Sequence, residues 1–359
     1  MTPAPPRNHA IDVARALAVT GVVINHSIDG LVGSGIIDPA SRVAEINGML
    51  YIFRMPALAL LLGLFIPRAV SKRGAAGYVR ERVTLAVYLY VLWFFIQTSV
   101  EIATSSMKNT PRGVSDLLQI WTMPAHLWFL PYLAVSALVI TFAAPWVTRR
   151  RAIVVLVVLA GVALATWDWN PLLFGLRGFS LLLFTALGAA IGMGRLGRAL
   201  NGPLWIWGAL GLVAAAGFAV LWHMGMSPGT AGSSKLPLDT VAVSIAGALL
   251  GIVVLLAMAA ALAHVSVIRR IVGYVGEHTL EVYLAHVIVT AGTRIVLARL
   301  GVESEGLFLI VVVSAGVIAP LALAYVAPRV GCGWLFQPPG PLARWSKAAS
   351  SEVKTSAAL

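Results

Sequence analysis

Ten stretches of about twenty apolar residues, each interrupted by few charges, run along the chain at 11–31, 47–67, 83–103, 124–146, 151–167, 172–194, 203–225, 240–264, 279–299 and 306–328. A helix of that length, rising about 1.5 Å per residue, matches the hydrocarbon thickness of a bilayer. The pattern therefore predicts an all-α polytopic bundle of about ten transmembrane helices. The connections are short and leave no room for an inserted soluble domain. Residues 1–330 are expected to form one membrane domain. Residues 331–359, rich in Pro, Ser, Ala and Lys, are expected to be a disordered tail. The first stretch carries Asp12 and Arg15 and continues as a full span, so it does not read as a cleavable signal peptide.

Composition supports this class and limits the partners. Of 359 residues, 59% are apolar and only 11% charged, with a mean hydropathy of +0.89. A soluble domain carries roughly a quarter charged residues. The net charge of +12 would fit nucleic acid, but the distribution of the basic residues points elsewhere. Seventeen of the 26 Lys and Arg fall in the N-terminus, the alternate loops or the C-terminal tail, and five fall in the opposite loops. That is the positive-inside asymmetry of a membrane protein. It predicts cytoplasmic termini, the lipid bilayer as partner, no nucleic acid, and residence in the cell (inner or plasma) membrane. The lone Cys332 excludes an internal disulfide and a multi-cysteine metal site, and no metal is expected. The chain has no His-Glu-x-x-His pair, no Walker loop and no Gly-x-Ser-x-Gly elbow.

Four basic residues lie inside spans: Arg15, Arg54, Arg177 and Arg294. Each costs about 2.5–3.5 kcal/mol to insert, so each is either a helix–helix clamp or part of a site. Arg15 stands out because His26 follows eleven residues later on the same helix. At about 100° per residue the two share a face, roughly 16 Å apart along the axis.

Orientation turns sequence position into depth. Near the cytoplasmic face lie Asp12 and Arg15 on the first span, Arg80 and Arg82 at the third, and Glu277, His278 and Glu281 at the ninth. Asp12 and Arg15 are one turn apart, and Glu277 and Glu281 are spaced to share a face. This level either holds an anionic ligand or forms an interfacial charge belt. Further out lie Asn25, His26, Arg54, His126 and His286, with Thr279, Tyr283 and His286 forming a polar stripe on the ninth span. Three histidines on different spans beside an arginine exceed what packing requires. Histidine has a pKa near neutrality, and burial favours its proton-accepting form, which suits general-base work. Buried Arg and His also mark transport pathways, so an exporter of a glycan or small solute is the alternative. Against it, the halves show no two-fold repeat and no matched pair of broken spans. Gly188-Ala-Ala-Ile-Gly192 reads as a close-packing helix face.

Four segments carry a resemblance. They are Ala10-Ile-Asp-Val-Ala-Arg-Ala-Leu-Ala-Val with Asn25-His26, Phe53-Arg-Met-Pro-Ala followed by Gly63, His126-Leu-Trp-Phe-Leu, and Gly276-Glu-His-Thr-Leu-Glu-Val-Tyr-Leu-Ala-His286. Together and in this order they resemble the membrane-bound acyltransferase-3 family. The chain departs from that family's Arg-x-x-Arg pattern at the third span, reading Arg80-Glu-Arg82-Val-Thr-Leu85. No extracytoplasmic hydrolase-like domain of the kind some members carry is expected, so any activity is expected to reside in the membrane bundle.

The resemblance implies transfer of an acyl group, usually acetyl, from a cytoplasmic acyl-coenzyme A to a hydroxyl, typically of a saccharide. Acyl-coenzyme A would be a co-substrate, with no permanently bound cofactor. It implies donor binding at Arg15 with Arg80 or Arg82, and chemistry at His26, His126 and His286. Asp12, Asn25, Arg54, Glu277, His278, Glu281 and Tyr283 would support them.

Overall fold

The computed structural model describes residues 8–105, 113–121, 126–169, 176–230, 232 and 236–346. Arg7, Lys108, Arg112, Lys235, Lys347 and Lys354, used above for orientation, lie outside them. The described residues form helices and connecting turns with no strand.

Among the described residues, each of the ten apolar stretches contains an α-helix. They are α1 (His9–Gly33), α2 (Arg42–Gly63), α4 (Ala75–Ala103), α5 (Phe129–Ala143), α6 (Arg149–Thr166), α7 (Leu182–Leu200), α8 (Leu204–His223), α9 (Leu238–Ala263), α11 (Thr279–Arg299) and α12 (Glu305–Val326). Eight are long and apolar enough to cross a membrane. The other two are α5, with 15 residues, and α6, which opens on Arg149-Arg150-Arg151. Two short helices were not foreseen: α3 (Ile66–Arg73) and α10 (Ser266–Glu277). The protein is thus an all-α, multi-pass membrane bundle.

α1 is the axis of the bundle and packs against α2, α7, α9, α10, α11 and α12. Its alanines at positions 10, 14 and 18 are buried on one stripe and let neighbouring backbones approach. A Cβ on Gly276 of α10 would stand 2.0 Å from the Asp12 carbonyl oxygen, so that crossing requires glycine. At the helix start, the Asn8 side chain accepts from Ile11 N–H (3.2 Å) and donates to the Gly197 carbonyl of α7 (2.9 Å). This cap fixes the depth of α1 against α7.

The small-residue stretch of α7 divides its duties. A Cβ on Gly188 would meet the Leu60 carbonyl of α2 at 2.0 Å, so Gly188 is a packing glycine as expected. Gly192 instead has φ 73° and ψ 151° and breaks α7. Beyond the break, Met193 N–H donates to the Leu64 carbonyl (3.1 Å). α6, α8 and α12 bury few residues and present apolar side chains such as Val157, Leu212 and Ile310 outward, as lipid-facing helices do.

Residues 331–346, expected to belong to a disordered tail, fold onto the bundle. Tyr88 of α4 donates to the Trp334 carbonyl (2.8 Å), Trp93 Nε1 donates to the Leu335 carbonyl (2.9 Å), and the Phe336 ring lies 5.9 Å from that of Trp93. Aromatic residues anchor a stretch that its composition marks as unstructured. Residues 347–359 lie outside the described residues.

Candidate active site

The three histidines predicted to act together do meet. His26 comes from the C-terminal half of α1, His126 from the turn leading into α5, and His286 from the middle of α11. Ring centroids are 5.3 Å apart for His26–His286, 6.0 Å for His26–His126 and 6.0 Å for His126–His286. His126 and His286 are buried.

Their hydrogen bonds assign roles. His286 Nδ1 lies 3.0 Å from the Val282 carbonyl and 2.8 Å from the Tyr283 carbonyl. Both are acceptors, so Nδ1 carries the proton and Nε2 is left as a proton acceptor. His286 Nε2 and His126 Nε2 are buried and meet no hydrogen-bonding partner among the described residues. Buried polar atoms of this kind are rare in native proteins and cluster where chemistry is done.

Two cavities lie end to end along α1. The larger, about 280 Å³, is lined by Arg15, Val19, Leu58, Leu61, Leu62, Phe65, Ala69, Tyr78, Arg82, Leu85, Ala86, Leu89, Phe129, Leu130, Leu133, Thr279, Leu280 and Tyr283. The smaller, about 30 Å³, is lined by Val22, Asn25, His26, Tyr51, Arg54, Met55, His126, Trp128 and Tyr283. Arg15 and Val19 face the first cavity, and Val22 and His26 the second. That is one stripe of α1, as the eleven-residue spacing required.

The basic end of the large cavity differs in part from expectation. Arg15 donates to Thr279 Oγ1 (2.8 Å) and stands over the Phe65 ring at 5.5 Å. Arg82 lies over Tyr78 at 5.8 Å, with its buried Nε unpartnered among the described residues. Arg80 does not line the cavity. Its Nε donates to the Ser346 carbonyl (3.2 Å) and its guanidinium covers the Trp345 ring at 5.2 Å. Two residues apart on a helix, Arg80 and Arg82 differ by about 200° in azimuth, and the C-terminal segment occupies the Arg80 side.

The acidic residues at this end also separate. The chain turns at His278, so Glu277 closes α10 while Glu281 belongs to α11. They do not share a helix face as expected. Glu277 is exposed, Glu281 is half-buried, and neither lines the large cavity. His278 Nδ1 pairs with the Tyr274 carbonyl at 3.0 Å. Asp12 is buried where α10 crosses α1. These residues stand apart from both cavities.

Around the small cavity a polar chain appears that the sequence reading missed. Arg54, only 2% exposed, donates from Nη1 to the Gly21 carbonyl (2.9 Å) and Asn47 Oδ1 (3.0 Å), and from Nη2 to the Asn47 carbonyl (3.1 Å). Asn47 donates to Asp29 Oδ1 (2.9 Å), and Asn25 donates to Asp29 Oδ2 (2.5 Å). Asp29 and Asn47 are thus the counter-groups of a buried arginine. Their signal was spacing: Asp29 is one turn from Asn25, and Asn47 two turns from Arg54. Arg177 covers the Trp128 ring at 5.2 Å and donates to the Thr230 carbonyl (2.9 Å). Arg294 donates to the Gly30 carbonyl and is a clamp between α11 and α1.

Fold and site together define a polytopic membrane protein with a histidine cluster at the wall of the smaller of two neighbouring cavities. The sequence profile of the acyltransferase domain, acyltransferase-3, matches residues 8–327, and the chain belongs to that family. Comparison with curated proteins and with solved structures returned no match. The protein is therefore a membrane acyltransferase, and the exporter reading gives way to that assignment.

Proposed function

We propose that the protein moves an acyl group, acetyl in the first instance, from acyl-coenzyme A to a hydroxyl of a saccharide or related acceptor. The observation that carries this reading is the His26–His126–His286 cluster at the wall of a small polar cavity, which among the described residues Tyr283 alone separates from a larger apolar cavity that has a basic end. The donor's anionic head binds at Arg15 and Arg82, and its thin pantetheine arm runs between Leu58, Leu61, Leu85 and Leu89. The small cavity, about 30 Å³, has room for a hydroxyl or for two to three waters, by the usual ~10–15 Å³ requirement for one.

In the reaction His26 takes the proton of the acceptor hydroxyl as its oxygen attacks the thioester carbonyl. The new C–O bond forms, the C–S bond breaks, and the thiolate leaves with the proton held by His26. His286 Nε2 accepts from the second ring nitrogen of His26 and orients it, while the His126 ring, 6.0 Å from that of His26, bounds the place of the incoming hydroxyl. Arg54, whose buried Nε is unpartnered among the described residues, supports the developing oxyanion. With cytoplasmic termini, as the loop charges favour, the donor arrives from the cytoplasm of a cell membrane.

The test is incubation of membranes containing the protein with labelled acetyl-coenzyme A and a saccharide panel. Labelled ester on a saccharide supports the reading. Absence of both transfer and donor binding overturns it.

A further inference from the structure

The two cavities share one wall. Among the described residues, Tyr283 alone lines both. The neighbouring helices pass from one cavity to the other within a turn: Val19 to Val22 on α1, Leu58 to Met55 on α2, and Phe129 to Trp128 at α5. Tyr283 therefore lies at the level where they would join. Its ring is wedged 5.6 Å from that of Phe129 and 6.2 Å from that of His286. Its hydroxyl donates to the backbone carbonyl of His126, and the side chain is only 5% exposed. An aromatic in the core needs no hydroxyl, and a buried hydroxyl needs a partner. Here the partner belongs to one of the three clustered histidines.

We propose that Tyr283 is the partition between donor and acceptor compartments, latched by its hydroxyl to His126, and that it governs when the thioester carbonyl reaches His26. The inference rests on the acyl transfer proposed above. With the ring in place, a thioester in the large cavity is screened from the histidines and from water in the small one. Release of the latch lets the ring swing and admits the carbonyl. Because the latch ends on His126, the step that opens the partition also acts on the backbone that holds a cluster histidine. Without the partition, water takes the acceptor's place. Its oxygen bonds the acyl carbon, the C–S bond breaks, and free acid and free thiol leave. Screening of this kind protects reactive intermediates from hydrolysis.

The experiment uses purified full-length protein, acetyl-coenzyme A and no acceptor, and reads thiol release together with the donor dissociation constant. Tyr283→Phe, which keeps the ring and loses the latch, should hydrolyse acetyl-coenzyme A several-fold faster than wild type. Tyr283→Ala, which removes the wall, should do so at least tenfold faster, and His26→Ala in that background should abolish the gain. For Tyr283→Phe, which keeps the ring that lines the donor cavity, the dissociation constant should stay within about twofold. Hydrolysis at or below the wild-type rate in the folded variants, with donor binding intact, overturns the partition. If Tyr283→Ala does not fold, the isosteric Tyr283→Phe decides alone. A wild-type protein that does not bind acetyl-coenzyme A overturns the donor reading, and the partition with it.

Discussion

His26 and His286 face each other across α1 and α11, with ring centroids 5.3 Å apart and planes tilted by 35°. His286 has its Nδ1–H committed to the carbonyls of Val282 and Tyr283. Its other nitrogen can therefore only accept, so in the proposed reaction His286 would position and not donate to an oxyanion. Replacing His286 with Ala should lower kcat by roughly 10–100-fold, less than the 10²–10⁴ of a general base. The KM for acetyl-coenzyme A should change little, because His286 does not line the large cavity. A raised KM with unchanged kcat would place His286 in donor binding instead.

Arg80 and Arg82 should separate sharply in donor kinetics. Arg82 lines the large cavity, so Arg82→Ala should raise the KM for acetyl-coenzyme A about tenfold, the loss of one charge-assisted contact. Arg80 instead holds Trp345 and Ser346. Arg80→Ala should leave donor KM nearly unchanged and make the C-terminal segment more sensitive to limited proteolysis. Steady-state kinetics and protease digestion check the pair.

Asn47 is the hinge of the polar chain from Arg54 to Asp29. Asn47→Ala would remove both the Oδ1 acceptor of Arg54 and the donor to Asp29. Leaving buried polar groups unpaired costs about 1–3 kcal/mol. Thermal unfolding in detergent should show the loss, and activity should fall through misplacement of Arg54.

At the α2–α7 crossing, a Cβ on Gly63 would meet the Thr185 carbonyl oxygen at 2.0 Å. Backbone cannot yield as a side chain does, so Gly63→Ala should force the helices apart and cost about 1–3 kcal/mol. Tyr132 is held by Thr185 through a 2.5 Å hydrogen bond, so the disturbance reaches α5. A lowered melting temperature and reduced yield of folded protein are the expected readouts.

The sequence made the helices legible because lipid imposes a length and an apolar composition that ordinary cores do not. Each apolar stretch contains a helix among the described residues, and α11 begins and ends where expected, at Thr279 and Arg299. The histidines were legible for the same reason, since polar groups at that depth are costly. Interfacial structure was harder to read. α3 and α10 lie in polar, basic sequence where a loop is equally plausible, and the turn at His278 split Glu277 from Glu281. Arg80 could not be told from Arg82 without knowing that Trp345 returns to α4. Asp29 and Asn47 escaped notice because each, alone, resembles an ordinary polar residue near a helix end.

The central claim is that His26 serves as the base for acyl transfer, and one measurement bears on it most directly. Membranes matched for wild-type or His26→Ala protein are incubated with labelled acetyl-coenzyme A and the saccharide panel, and labelled ester is counted. The variant should still bind acetyl-coenzyme A but form ester at least about 10²-fold more slowly than wild type. Near-normal ester formation by the variant at equal protein level would contradict the account.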